Sequence, residues 1–416
     1  MLRRNLLSSS LRLSISGVLI LSLCGCSMEQ RLSALSSKIE TSYAEAREWD
    51  QLPIKTISWQ QAMSMVQQNN IELKKLSSAI DRYERQGWSI YTDMIPGLSY
   101  YGYFTKSIGD LGRLATDDLS SNVNITFSLP TITNIPYRVY SARASTFAAI
   151  KTRELRERDL TAKLYSAVRS REVELKKREL AKLKPELSEK ERMLAESSQR
   201  LTDAAHWKNV AGILGDYSAR WNILPQSMPR VKWNRYLPRF SKLSELSVAR
   251  FAIRLEQSRL SQYGVALQYL PTISTNLYSP SLFSSTGGTY EGAFLNGDDT
   301  KLNLNLSYTL DTQLSNWNQY LDRKADYENT CREVQADIID HKHKLMQLKT
   351  SMQDYLSWRS YMNKRIEYLQ ESQPETAEEQ IERDSTVLDM RTELLSQETK
   401  AIESETAVII EYGLDS

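Results

Sequence analysis

Apolar residues recur along this chain with two periods, and the two alternate in blocks. Between Val334 and Leu369 they step by threes and fours: Val334, Ile338, Leu345, Leu348, Met352, Tyr355, Met362, Ile366 and Leu369, with His341 and Arg359 at the two missing stations. This heptad-like seam, flanked by Lys, Asp, Glu and Gln, predicts one helix from about Tyr320 to Gln370. At 1.5 Å per residue it extends about 75 Å, more than a compact domain buries end to end, so it must pack on neighbouring helices. A second long helix is predicted from about Tyr137 to Lys184, with Leu160, Leu164, Val168 and Leu175 on one stripe. Shorter helices are predicted over Ser58–Tyr91, Ser188–Leu214, Lys242–Gln268 and Glu375–Tyr412. Pro185 and Pro374 interrupt helical runs among polar neighbours and are the natural hairpin turns, because proline ends one helix and fits the first turn of the next.

The second period is two. From Asn122 to Leu129, Val123, Ile125, Phe127 and Leu129 share one parity and Asn122, Asn124, Thr126 and Ser128 the other. Lys301 to Leu310 repeats this, with Leu302, Leu304, Leu306, Tyr308 and Leu310 against Asn303, Asn305, Ser307 and Thr309. Leu98–Phe104 and Thr272–Tyr278 alternate less cleanly. Four strands are therefore expected, at about 97–105, 121–129, 272–279 and 301–310. Alternation by itself fits any half-buried antiparallel strand packed on a helix. Two features favour a membrane barrel wall instead: the length suits a tilted bilayer-spanning strand, and the polar parity is uncharged amide and hydroxyl, suited to line water. Asn122, Asn124, Thr126, Ser128, Asn303, Asn305 and Ser307 are then candidate lumen-facing residues, and Tyr100, Tyr101, Tyr103, Tyr278 and Tyr290 sit near strand ends as interface aromatics do. Four strands cannot close a barrel, and lipid does not tolerate open sheet edges, so a spanning sheet implies an oligomer; three copies supply twelve strands.

The blocks also repeat. Met94-Ile95-Pro96-Gly97-Leu98-Ser99 matches Tyr269-Leu270-Pro271-Thr272-Ile273-Ser274 at an offset of 175, and Val123–Leu129 matches Leu304–Leu310 at 181. The second intervening loop is thus six residues longer, an insertion that loop tips tolerate. Arg143-Ala144 matches Lys324-Ala325 inside the long helices. The expected organisation is a signal peptide over 1–25, an N-terminal segment over 26–57, a first repeat over 58–228 and a second over 229–416.

Composition and chemistry narrow this reading. With 53 Lys+Arg against 51 Asp+Glu, the net charge of +2 gives no electrostatic case for nucleic acid. Arg3 and Arg4 precede a short apolar stretch, Leu11–Leu23, which reads as an export signal. It ends in Leu23-Cys24-Gly25-Cys26, which resembles a bacterial lipobox with Cys26 as the lipidated residue; Ser27 after it implies, by analogy with lipoprotein sorting, the outer membrane. Cys331 is the only other cysteine, so no disulfide framework is expected. No later apolar run is long enough for a membrane helix, so any crossing must be made by strands. His206, His341 and His343 make no usual metal or triad site, since His341 and His343 fall on different faces of one helix. No phosphate loop or nucleophile elbow is present, the acidic run Glu371–Glu382 reads as a solvated tip, and neither an enzyme nor a cofactor is expected.

The ordered set of segments resembles the TolC family of outer-membrane channel proteins. The supporting residues are Ile57-Ser58-Trp59-Gln60-Gln61-Ala62, Asn69-Asn70-Ile71-Glu72-Leu73, Ile95-Pro96-Gly97-Leu98-Ser99, Phe127-Ser128-Leu129-Pro130, Ala211-Gly212-Ile213-Leu214-Gly215 and Tyr269-Leu270-Pro271-Thr272-Ile273. The resemblance spans roughly Thr56 to Gly413. It implies a mainly α fold with a small β part: a long-helix α-barrel plus four strands per chain, joining in a homotrimer as one twelve-stranded transmembrane β-barrel. It also implies a passive export conduit, lipid-anchored in the outer membrane, that works with a periplasmic adaptor and an inner-membrane transporter in efflux or type I secretion. The stretch from Pro130 to Gly215 is shorter than is usual for the family, and no Gly-containing turn is recognisable near Pro185 or Pro374. The alternative reading is a periplasmic coiled-coil structural or adaptor lipoprotein without a pore, which needs the helices but not the spanning strands.

Overall fold

The computed structural model describes residues 30, 32–41, 51–92, 97–104, 119–127, 134–183, 189–267, 272–280, 301–307, 314–372, 374 and 376–414. These form two compact units that cut across the sequence duplication.

One unit comprises Met1–Val66 and Pro185–Met228. It contains a helix over 32–41 (α1), strand β1 (Ile54–Ile57), most of α2 (Trp59–Asn69), α5 (Glu189–Leu214) and β4 (Arg220–Ile223). β1 and β4 pair in parallel, Ile54 opposite Arg220 and Ile57 opposite Ile223. The start of α2 is a reciprocal cap. Gln61 N–H donates to Ser58 Oγ at 3.3 Å, and Ser58 N–H donates to the Gln61 side chain at 2.9 Å. Trp59 N–H donates to Ser227 Oγ at 2.8 Å, and Arg220 donates to the Leu52 carbonyl at 2.6 Å, which ties both ends of the unit to its sheet. α5 stops because Gly215 adopts φ 69°, a left-handed conformation that a side chain would strain, and Asp216 N–H returns to the Ala211 carbonyl.

The other unit comprises Gln67–Lys184 and Pro229–Ser416. It holds α3 (Ile71–Thr92), β2 (Gly97–Phe104), β3 (Leu119–Phe127), α4 (Asn134–Lys182), a short α6 (Trp233–Tyr236), α7 (Glu245–Ala266), β5 (Thr272–Pro280), β6 (Lys301–Ser307), α8 (Ser315–Glu371) and α9 (Ala377–Tyr412). The single helix expected over Ser58–Tyr91 is two. Asn70, only 4% exposed, accepts from the N–H groups of Glu72 and Leu73 at 3.0 and 3.3 Å, so its carboxamide caps α3 and breaks the run.

α3 runs antiparallel to α4, with Arg156 paired to Glu72, and α7 runs antiparallel to α8, with Arg254 paired to Glu333 and Asp337. Tyr137 joins α4 to α7: its hydroxyl donates to the Leu260 carbonyl at 2.9 Å. Its ring lies against Gly264, where an added Cβ would come within 2.5 Å of that hydroxyl. α9 packs antiparallel on both α4 and α8. With α8 it buries Met362, Ile366, Val387 and Met390, with Trp358, Leu369 and Leu394 packed around them; with α4 it buries Val173, Leu395 and Ile402.

The long seam of α8 stands as the periodicity has it, with one adjustment on α8 itself and one on the α4 stripe. Arg359 is exposed and Trp358 packs on the hairpin core in its place, because the indole removes more apolar area from water. On α4, Leu175 is 43% exposed and Val173 is buried, since α9 covers the Val173 side of the helix. α4 begins at Asn134 and α8 at Ser315, the 181-residue offset of the second strands, while β2 and β5 begin at Gly97 and Thr272, the 175-residue offset of the first. α4 has 49 residues and α8 has 57, so the second copy's helix runs about two turns further, roughly 12 Å. Pro96, Pro130, Pro185 and Pro271 lie outside the described residues.

Candidate functional site

The four strands form one antiparallel sheet in the order β2-β3-β5-β6. Its register decides which residues share a face. Asn122 stands opposite Tyr101 and Pro280, Asn124 opposite Ser99 and Tyr278, and Thr126 opposite Gly97 and Asn276. Asn303 stands opposite Asn276, Asn305 opposite Ser274 and Ser307 opposite Thr272. Directly opposed residues lie on the same face, so the polar parities of all four strands fall together. The other parity joins Leu98, Tyr100, Val123, Ile125, Phe127, Ile273, Leu277, Leu302, Leu304 and Leu306. A one-residue slip at any pairing would mix the two sets. Ser128, Tyr290, Tyr308 and Leu310 lie outside the described residues, as does Cys26.

Among the described residues, β2 and β6 each pair on one side only. An open sheet of this kind presents two rows of unpaired backbone groups, which favour further strand pairing. No helix among the described residues is long and apolar enough to cross a membrane.

Behind the sheet, two buried polar clusters hold α9. In the first, Tyr165 on α4 donates to Glu405 on α9 at 2.8 Å, and Arg169, whose side chain is 8% exposed, bonds Glu172 at 2.8 Å and Glu398 at 2.6 Å while its Nε lies 3.6 Å from Glu405. Arg230 reaches Glu172 at 2.6 Å. Three carboxylates thus share two guanidinium groups. Burial pushes the Glu405 carboxyl up, only partly offset by Arg169 and Tyr165. Burial also acts to raise Glu172, but hydrogen bonds from Lys176, Arg230 and Arg169 hold it down at about 2.

In the second cluster, Glu411 meets the start of α7. Its carboxylate accepts from the Ser244 N–H at 3.1 Å and from the Ser247 hydroxyl at 2.9 Å, and His341 Nε2 lies 3.0 Å away. Burial works against its charge, but Ser244, His341 and Ser247 together hold its carboxyl below the ordinary range. A serine, a histidine and a carboxylate in contact suggest nucleophilic chemistry, but the order is wrong for it. Both Ser247 and His341 turn to the same carboxylate, so no imidazole is placed to take the serine proton. The cluster is a clamp: a carboxylate at a helix N-terminus, where the dipole favours it. Tyr236 and Tyr412 extend it, donating to the carbonyls of Gly413 and Arg239 at 3.0 Å each.

His343 is exposed, 3.0 Å from Gln347 Nε2, and His206 stacks edge-on with Trp207 at 5.0 Å. Periodicity places His341 on the α8 seam but does not name its partner. The residues of α9 that meet α4 leave a readable trace: Leu395, Glu398, Ile402, Glu405, Ile409 and Tyr412 step by three and four, with the two glutamates of the first cluster at seam stations, whereas Glu411 falls beside this series. Nothing local says which arginine answers them.

No protein family and no curated protein matches this sequence. Solved structures do match the fold. The outer membrane protein VceC from Vibrio cholerae superimposes with a TM-score of 0.58 at 12% identity, covering 86% of this chain and 96% of that one. The chain has a TolC-type fold. The CmeC outer membrane channel of Campylobacter jejuni matches this chain with a TM-score of 0.52 at 12% identity over 85% of each chain. A membrane protein from Pseudomonas aeruginosa matches with a TM-score of 0.56 at 12% identity, over 84% of this chain and 92% of its own. The mainly α fold with long helices and a small sheet is therefore common to all four chains.

Proposed function

We propose that three copies assemble in the outer membrane, their twelve strands closing one β-barrel that the long helices continue into the periplasm. The conduit is passive. It serves as the outer component of an efflux pump or a type I secretion system, receiving cargo from an inner-membrane transporter through a periplasmic adaptor. Residues 58–228 and 229–416 act as its two repeats, Cys26 carries the lipid, and Asn122, Asn124, Thr126, Ser128, Asn303, Asn305 and Ser307 line the lumen. The observation that carries this reading is the sheet: four strands in one register, polar parities on one face, and an unpaired edge on both β2 and β6. Pairing β6 of one copy with β2 of the next removes both edges, which lipid demands. The likeness to outer-membrane channels supports it. Detergent extraction of the membrane-inserted chain should yield a mass of three protomers, and the extract should conduct ions across a planar bilayer. A monomer released without detergent would overturn the reading.

A further inference from the structure

α1 turns an apolar stripe to solvent. Every residue over 32–41 is exposed, Leu32, Leu35 and Ile39 at 54%, 55% and 68%. These three are spaced by three and four, and at 100° per residue they fall within an arc of about 60°. Ser33, Ser37 and Thr41 fall on the opposite side, where the Thr41 hydroxyl donates to the Ser37 carbonyl at 2.9 Å. Lys38 flanks the stripe, and Arg31 precedes it in sequence by seven positions, the spacing of a single helix flank.

Such a helix does not hold by itself in water. Helices shorter than about 12–15 residues are marginal there even when rich in alanine, and this one carries serine or threonine at 33, 36, 37 and 41, which are weaker helix formers. Its stability has to come from a surface that takes the stripe.

Place in the chain says which surface. Leu32 follows Cys26 by six positions, a span of at most about 20 Å. A lipid on Cys26 therefore holds α1 against the inner leaflet of the outer membrane. On the other side, the stretch between Thr41 and Ile54 reaches up to about 45 Å, so β1 can stay in its sheet while α1 rests on lipid. A second copy is a poorer occupant, because anchors stand outside a closed barrel wall and the wall keeps the three α1 helices apart.

We infer that α1 is an interfacial helix: it lies along the lipid surface beside the anchor, with Leu32, Leu35 and Ile39 among the acyl chains nearest the headgroups and Lys38 reaching the lipid phosphates. The inference rests on Cys26 carrying the lipid and goes beyond it, since the protein then grips the membrane with its own side chains as well. Three apolar side chains bind a bilayer weakly from solution. Beside an anchor the same contact is intramolecular, at an effective concentration of about a millimolar, and it persists.

The test uses full-length protein in phosphatidylethanolamine–phosphatidylglycerol vesicles, with Cys331→Ser and one spin-labelled cysteine from either Leu35→Cys or Ser37→Cys. The mass of the N-terminal peptide reports whether Cys26 is acylated. The label at position 35 should relax mainly with dissolved oxygen, which concentrates among acyl chains, and the label at 37 mainly with a water-soluble nickel chelate. In unlabelled protein, Leu32→Gln with Leu35→Gln and Ile39→Gln should abolish the slow amide exchange of residues 32–41 on vesicles and leave that of α8 unchanged. With Cys26 acylated, three results overturn the inference and leave the anchor standing: both labels relaxing alike, the label at 35 shielded from both reagents by protein, or amide exchange that the triple variant does not alter. An unacylated Cys26 overturns the anchor, and the inference with it.

Discussion

Glu405 carries a carboxyl that burial pushes up. It sits between α4 and α9 with Tyr165 donating to it and Arg169 beside it, in a group where carboxylates outnumber guanidinium groups. Its folded carboxyl holds a proton more tightly than the unfolded one does, so its charge costs stability above the unfolded pKa, and the cost fades as pH falls. Glu405→Gln keeps an acceptor for Tyr165 and removes a charge that burial disfavours. The variant should melt at a higher temperature than wild type at pH 7, with the gain shrinking toward pH 4. Glu172 has the opposite sign: its depressed carboxyl stabilises the fold above 4.5, and that contribution is lost as pH falls from there toward about 2. Arg169→Ala leaves buried carboxylates without their cation and should cost about 3–5 kcal/mol in denaturant unfolding. Adding Glu405→Gln should recover part of that loss; strict additivity of the two changes would show that the pair is not coupled.

At the scale of elements, the outer end of the α8–α9 hairpin has a core of its own. Its outer core of Met362, Ile366, Val387 and Met390 is made by these two helices alone, and α9 opens with a reciprocal cap in which Thr376 Oγ1 accepts from Glu379 N–H at 3.2 Å. Thr376→Ala should cost about 1 kcal/mol. The loss should appear in hydrogen exchange as faster opening of the first turns of α9, with the sheet amides unchanged; a uniform loss across the chain would mean the hairpin does not open by itself. Long helices of this kind were legible because a seam of threes and fours repeats many times. The break at Asn70 was not, because a single carboxamide that turns back onto two N–H groups outweighs eleven residues of helical pattern before it and 22 after it only where it is also buried.

For the whole molecule the question is what lies against each face of the sheet. Under the barrel reading Ile125 faces lipid and Asn124 faces water, since they sit on opposite parities of β3. Ile125→Arg should lower the yield of membrane-inserted trimer, because an arginine at mid-bilayer costs about 2–4 kcal/mol, while Asn124→Arg on the wet face should assemble nearly as wild type. Equal behaviour of the two in membrane fractionation would sink the wall assignment and favour a periplasmic coiled-coil protein.

The sequence by itself determined the long helices, the four strands of the antiparallel sheet, their order, their duplication and the two parities of each strand, because these are written in local periodicity; it did not mark the short parallel pair β1 and β4 or the break between α2 and α3. It also named the candidate wall residues, since polar and apolar positions alternate within a single strand. Only the tertiary structure decided that the four parities align across the sheet, that α9 packs against α4 as well as α8, and that Tyr165 and Arg169 meet Glu405 while Ser247 and His341 meet Glu411. These partners are tens to hundreds of residues apart. Periodicity fixes which side of an element is buried, but which charge answers which is set by how far one helix slides along another, and no single segment carries that distance.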